Sequence, residues 1–265
     1  MTATAARIPA PDAQRSAPPL GGFNITFLGL ELRRMLRNRR TIVFVLVMPI
    51  VIYALFGNAT ATITGTSVTY KQFEMVSLAL YGAMTACTSG GSMVAVERAL
   101  GWSRQLRLTP LRPAAYIAIK ILSAMALGLI PIVVLFIFGA IRGVSLPAQD
   151  WVLCGLAVCV ASLVFATLGL FMGYLLPSEN VMQILGPILG ILAFLGGVFV
   201  PVNVLSPSLE TAAKFMPVYG VNQLAHFPLG HGSTFGWVAF ANIVVWLAIF
   251  VVGSALLFRR DTRRV

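Results

Sequence analysis

The side chains able to do chemistry are few and widely spaced: eight Asp and Glu and two His serve 265 residues. Glu74, Glu97 and Asp150 stand at the ends of long apolar runs, and Glu179 sits in the short turn Pro177-Ser178-Glu179-Asn180. None falls at the middle of such a run, where ion-coupled carriers often place an ionisable group. A lipid-synthesising enzyme would gather several acids around a metal and a phosphate, and no such cluster is spelled out. His226 and His231 lack the His-Glu-x-x-His spacing of a zinc hydrolase and read as loop residues. Lys71, Lys120 and Lys214 are followed by Gln, Ile and Phe, so the Gly-x-x-x-x-Gly-Lys-Ser/Thr loop that cradles ATP does not occur. Cys87, Cys154 and Cys159 lie inside apolar runs without disulfide or zinc spacing and read as packing residues. The residues alone thus describe an apolar protein with no metal or cofactor of its own. A carrier that binds ions through backbone carbonyls stays open, as does a membrane enzyme or a scaffold.

The elements that hold these residues follow from composition. Hydrophobic residues make up 58% of the chain and charged ones 10%, against roughly 25% charged in soluble domains. So much apolar surface requires lipid as solvent. The net charge of +11 sits in short basic clusters between apolar runs, which favours a membrane pattern over nucleic-acid binding. Runs at 41–57, 75–96, 116–140, 151–176, 181–200 and 237–258 are each near the ~20 residues a bilayer core requires. Pro49, Pro131 and Pro187 lie inside them and predict kinks. The expected fold is therefore an all-α membrane protein of six spans. Of the 19 Lys and Arg, only Lys71, Arg142 and Lys214 fall in outer segments when both ends are placed in the cytoplasm. Arg39-Arg40 before an apolar run imitates an export signal, but the five further runs argue against cleavage.

Residues 1–22, rich in Pro and Ala, predict a disordered cytoplasmic tail, and 259–265 a basic one. In 23–40, Ile25, Leu28, Leu32, Met35 and Leu36 recur at helical steps among arginines. That pattern suits an amphipathic helix on the inner membrane surface, its arginines toward lipid phosphates. Between the second and third runs, residues 98–108 predict a short basic helix stopped before Pro110. Between the fifth and sixth, Leu209, Ala212, Ala213 and Met216 predict a short helix at, or dipping into, the outer face.

Several pieces then match one family in order. They are Glu31-Leu32-Arg33-Arg34 through Asn38-Arg39-Arg40, Met48-Pro49, Glu97-Arg98 with Gly101, and Leu106-Arg107-Leu108-Thr109-Pro110-Leu111. Tyr116, Lys120, Phe199-Val200-Pro201, Pro217 and Tyr219 follow. From Phe23 to Arg260 the chain resembles the type-2 permeases of ABC (ATP-binding cassette) exporters, including drug-resistance permeases of the daunorubicin-exporter kind.

The resemblance implies a non-catalytic permease in a bacterial cytoplasmic membrane, working as two copies with two separate ATPase subunits that bind the ATP and Mg. It places ATPase coupling at Glu97, Arg98, Gly101, Trp102, Arg104, Leu106 and Leu108, beside the amphipathic helix. Spans one, two and five of both copies would enclose the path, with Phe44, Met48, Tyr53 and Met84 as its candidate lining. The short helix near Ser208–Met216 would cap the exit. Cargo would be an amphipathic or hydrophobic drug, lipid or natural product. Glu97 is further expected to anchor a nearby arginine, Arg98 or Arg104.

Overall fold

A computed structural model describes residues 24–57, 61–63, 68–101, 113–202, 206–230 and 235–263. The helices are α1 (Ile25–Leu36), α2 (Arg39–Phe56), α3 (Tyr70–Ser92), α4 (Val94–Ala99), α5 (Pro113–Ile141) and α6 (Ala148–Leu175). After them come α7 (Val181–Leu195), α8 (Pro207–Lys214), α9 (Pro217–His226) and α10 (Trp237–Arg263). Among the described residues the only β feature is one isolated bridge, Thr62 to Thr69. The protein is all-α.

Among the described residues, three helices are long and apolar enough to cross a membrane: Ala114–Ile141, Ala148–Leu175 and Trp237–Asp261. Two shorter apolar helices, Val45–Phe56 and Gln183–Leu195, accompany them. The run read at 116–140 lies within α5, and that at 151–176 lies in α6 up to Leu175, with Leu176 as its C-cap. The last run, 237–258, opens α10, whose helix continues to Arg263 without a break at Arg259. The expected tail at 1–22, and residues 264–265 of the one expected at 259–265, lie outside the described residues. The amphipathic segment divides: α1 ends at Leu36, and α2 begins at Arg39 after the turn Arg37-Asn38. Helix α2 runs through Pro49, α5 through Pro131 and α7 through Pro187.

Helix α3 is the centre of the bundle, packed along both α5 and α6 and touched by α2. It is rich in small residues because backbones must approach it on several sides. Gly91 lies against the backbone of Ala166, Gly169 and Leu170, and Gly169 in turn against that of Thr88. Thr88 Oγ1 donates to the Phe165 carbonyl at 3.3 Å, closing the α3–α6 seam. A Cβ on Gly82 would lie 2.7 Å from Pro131 and 3.5 Å from Pro49, so this glycine lets α2, α3 and α5 converge. By contrast α10 is peripheral: only 17% of its apolar window is buried, against 56% for α6.

One end of the bundle carries α4, the start of α5 and the last turn of α10; it is called the basic end here. The far end is closed by α8 and α9. Helix α7 stops where Gly197 takes φ +85°, a backbone angle that a side chain would strain. Asn222 Nδ2 on α9 donates to the Gly197 carbonyl at 3.0 Å. Asn242 on α10 holds the α8–α9 corner from both sides. Its Nδ2 donates to the carbonyls of Lys214 (2.9 Å) and Met216 (3.0 Å), and its Oδ1 accepts from the Gly220 N–H (3.2 Å).

His226 departs from the sequence expectation of a loop residue. It ends α9, is buried, and stacks on Phe73 at 4.4 Å. Its Nδ1 lies 2.9 Å from the Asn222 carbonyl, and its Nε2 lies 3.1 Å from Ser77 Oγ and 3.3 Å from the Phe73 carbonyl. The physical reason is amphipathicity: α9 buries Val218, Val221, Asn222 and Ala225, and His226 shares that face. His231 lies outside the described residues.

Candidate functional site

The basic end holds an ionic cluster formed from three segments far apart in sequence. Helix α3 ends at Ser92, and after Met93 the chain restarts as α4, whose fourth residue is Glu97. Glu97 is 3% exposed. Its Oε1 accepts from Lys120 Nζ on α5 and from Arg34 Nη2 on α1. Its Oε2 accepts from the Tyr116 hydroxyl at 2.6 Å. Lys120 Nζ also donates to Glu31 Oε1 on α1 at 2.7 Å, and Arg34 lies 3.7 Å from the same oxygen. Two acids and two bases balance in this cluster: Glu31, Glu97 and Lys120 are buried, while the Arg34 side chain, 41% exposed, closes it from the surface. Lys120, at 1% exposure, is more deeply buried than any other charged residue described.

Local structure explains each position. On α1 the residues turned into the bundle are Glu31 and Met35, four apart on one face, while Ile25 and Leu30 point outward. On α5, Tyr116 and Lys120 are likewise four apart, so both reach the same carboxylate. The Lys120 ammonium also lies 5.4 Å from the Tyr116 ring centroid. An apolar shell of Val94, Tyr116, Leu170 and Tyr174, with Phe27 and Phe258 against it, surrounds the contact. Burial alone would favour the neutral Glu97 carboxyl. The Lys120 charge, the hydrogen bonds from Lys120 and Tyr116, and the Arg34 charge outweigh it and hold that carboxyl below its ordinary range.

Glu97 therefore does anchor an arginine, but Arg34 rather than Arg98. Successive helical residues diverge by about 100°, so Arg98 leaves α4 on another side. Its Nη1 donates to the carbonyls of Gly173 (3.2 Å) and Tyr174 (2.9 Å), and its Nη2 to Asp261 Oδ1 (3.0 Å). Arg104, the other expected partner, lies outside the described residues. A continuous helix over 98–108 is also corrected. Arg98 belongs to α4, which stops at Ala99, and Gly101 takes φ +73° with no atom of the described residues within 4 Å of its would-be Cβ. The left-handed angle turns the chain out of the helix and into the segment holding Trp102, Arg104, Leu106 and Leu108, all outside the described residues.

The candidate path residues are not brought together. Tyr53 and Met84 are fully buried in the main core, Tyr53 with its hydroxyl 3.4 Å from the Lys71 carbonyl and its ring edge-on to Phe138. Met48 is 46% exposed on α2. Phe44 lies one turn before it on that helix, and its side chain is outside the described set. Among the described residues no three His, Cys, Asp or Glu stand close enough to share a metal ion.

The sequence pattern directs Arg34 toward lipid phosphates, marks Glu31 only as part of a family match, and gives Asp261 no role. The available signal was Glu31 sharing a helix face with Met35, and Lys120 as a lone charge early in an apolar run. Asp261, an acid set among Arg259, Arg260 and Arg263, gave a weaker one.

The family model for "ABC-2 type transporter" matches residues 25–227. The chain belongs to that family. The matched range opens on the first residue of α1 and closes just beyond α9, so it contains every member of the Glu97 cluster and leaves out α10. The ABC-2 assignment is joined by a relative from Bacillus subtilis (strain 168), "Putative transport permease YvfS". The two are 25% identical over 233 residues, covering 87% of this chain and 95% of the relative. As an ABC-2 chain with long apolar helices, the protein is a multi-pass membrane subunit of a transporter.

Proposed function

We propose that this ABC-2 chain is the permease of an ATP-driven exporter in a bacterial cytoplasmic membrane, energised by a separate ATPase that binds the ATP and Mg. The observation that supports this most is the Glu97 cluster. It fastens α1, α4 and α5 to one another immediately before the segment through Leu108 that would meet the ATPase. In this reading the apolar runs make six spans with both ends inside, so the cluster sits at the inner surface beside the arginines of α1.

Nucleotide closing the ATPase pair would push on the segment from Arg98 to Leu108. Glu97 is bonded to α1 and α5, so α4 cannot absorb the push by turning alone. The displacement passes through the one-residue break at Met93 into α3, and through Lys120 into α5. Two copies would face each other, with the exposed side of α2 around Met48 toward a path for amphipathic or hydrophobic cargo. Phe44 would share that side, and Tyr53 and Met84 would support it from within. The α8–α9 corner would close the outer end.

The test is a pull-down of the tagged chain from mild-detergent membranes of its native cell, followed by an ATPase assay. Co-purification of a Walker-motif protein, released by Arg104→Glu or Leu106→Asp, supports the reading. A chain that comes down alone, with no ATPase activity at any salt concentration, sinks it and directs attention to ion-driven transport.

A further inference from the structure

Arg98 has a geometry that a partner-contact residue would not need. Its guanidinium is turned into the protein, where it joins three helix ends. The carbonyls of Gly173 and Tyr174 belong to the last turn of α6, which has no intrahelical donors left and carries the negative end of the helix dipole. Nη1 caps both, and the guanidinium carbon lies 5.7 Å from the Tyr174 ring centroid. Nη2 donates to Asp261.

Asp261 is the sole acid on α10 and stands among arginines, yet its side chain reaches a residue 163 positions away. The Arg98 and Asp261 side chains are 29% and 27% exposed, so the pair lies at the rim of the bundle. Nearby on the same helix, Phe258 packs between Tyr116 (6.2 Å) and Tyr174 (5.8 Å). For a helix as peripheral as α10, Phe258 and Asp261 are its fastening to the basic end.

We propose that Asp261 is a positioning residue for energy coupling: the last turn of α10 clamps Arg98, and through it α4, against the end of α6. Adjacent residues then divide the work. Glu97 ties α4 to α1 and α5, while Arg98 ties it to α6 and α10. A push arriving beyond Gly101 is thereby delivered to the outer helices of the bundle as well as to its centre. The transmission part of this proposal rests on the exporter reading above; the clamp itself does not.

The experiment uses the full chain in nanodiscs, as wild type, Asp261→Asn and Asp261→Glu. Hydrogen–deuterium exchange of the Val94–Gly101 amides is followed without nucleotide, and ATPase activity is followed in the complex with the co-purified ATPase. Asp261→Asn should raise exchange in α4 by about fivefold, the scale of a part-exposed ion pair. It should also lower the permease-dependent increment of ATPase activity at least twofold, with the amount of bound ATPase unchanged. Asp261→Glu, which keeps the charge, should restore both. Unchanged exchange in Asp261→Asn overturns the clamp, whether or not an ATPase co-purifies. Faster exchange with an unchanged ATPase increment overturns the transmission. Failure of the exporter reading is separate, because it shows as a wild-type chain that brings down no ATPase.

Discussion

The two ends of the bundle are fastened by different physics. At the basic end, distant helices are joined through full charges: Glu31 and Glu97 with Arg34 and Lys120, and Arg98 with Asp261. At the far end the ties run through amides, an imidazole and backbone groups: Asn222, Asn242 and His226, with Gln72 Nε2 donating to the Ser145 carbonyl at 2.7 Å. Lys71 there bonds a carbonyl, that of Arg142, and the ion pair of Lys214 with Glu210 lies within α8 and joins no two helices. A dipolar tie is short-ranged and holds one geometry. A buried charge cluster is held as a set, because deleting one member leaves another charge buried without its counterion. The end that would receive a mechanical input is thus built to resist separation of its helices. The far end is held by bonds that break one at a time.

That contrast can be broken most sharply at Lys120. Lys120→Met removes the cation shared by Glu31 and Glu97 and should cost about 3–5 kcal/mol, as for breaking a buried ion pair. Thermal unfolding in detergent would measure it, and a loss no larger than that of any far-end variant would erase the distinction. The counterpart is Asn242→Leu, which deletes three hydrogen bonds to the α8–α9 corner and should cost about 2 kcal/mol. Limited proteolysis of the 206–230 segment would show whether the loss stays local.

A smaller effect is expected at the turn that leaves the basic end. Gly101→Ala forces a side chain into φ +73° with no atom of the described residues within 4 Å, so backbone strain sets an expected cost of about 1 kcal/mol. A cost well above that would mean that partner contacts crowd the turn. The smallest effect is in pH. Folding lowers the Glu97 pKa below the ordinary carboxylate range, so its contribution is complete above that range and is lost as pH falls through the depressed folded value. The unfolding temperature of wild type should therefore drop more steeply on acidification from pH 5 than that of Glu97→Gln, measured side by side. Parallel curves would show that Glu97 is not the group that titrates.

Helix content and the position of the node in the chain were legible from one dimension. Apolar runs mark α5, α6 and α10 because a helix in lipid must be apolar along its whole length. The break at Arg37-Asn38 was not legible, since it falls inside the segment 23–40 whose pattern reads as one helix. Glu97 stood out as an acid where a run ends, but its partners did not. Proximity along the chain pointed to Arg98 and Arg104, whereas helix geometry sends Arg98 toward α6 and α10. His226 was misread for a related reason: the helix that buries it is short and begins at a proline.

The sequence by itself determined the solvent, the helical class, the family and the segregation of charge, since run length, composition and ordered motifs are properties of neighbours along a chain. Only the tertiary structure decided which charges meet. Residues 31, 34, 97, 116 and 120 share one carboxylate cluster, and residues 98 and 261 share one ion pair, because three-dimensional packing puts the ends of α1, α4, α5, α6 and α10 side by side. An ion pair requires atoms within about 4 Å, and sequence spacing fixes such distances only within a single helix turn.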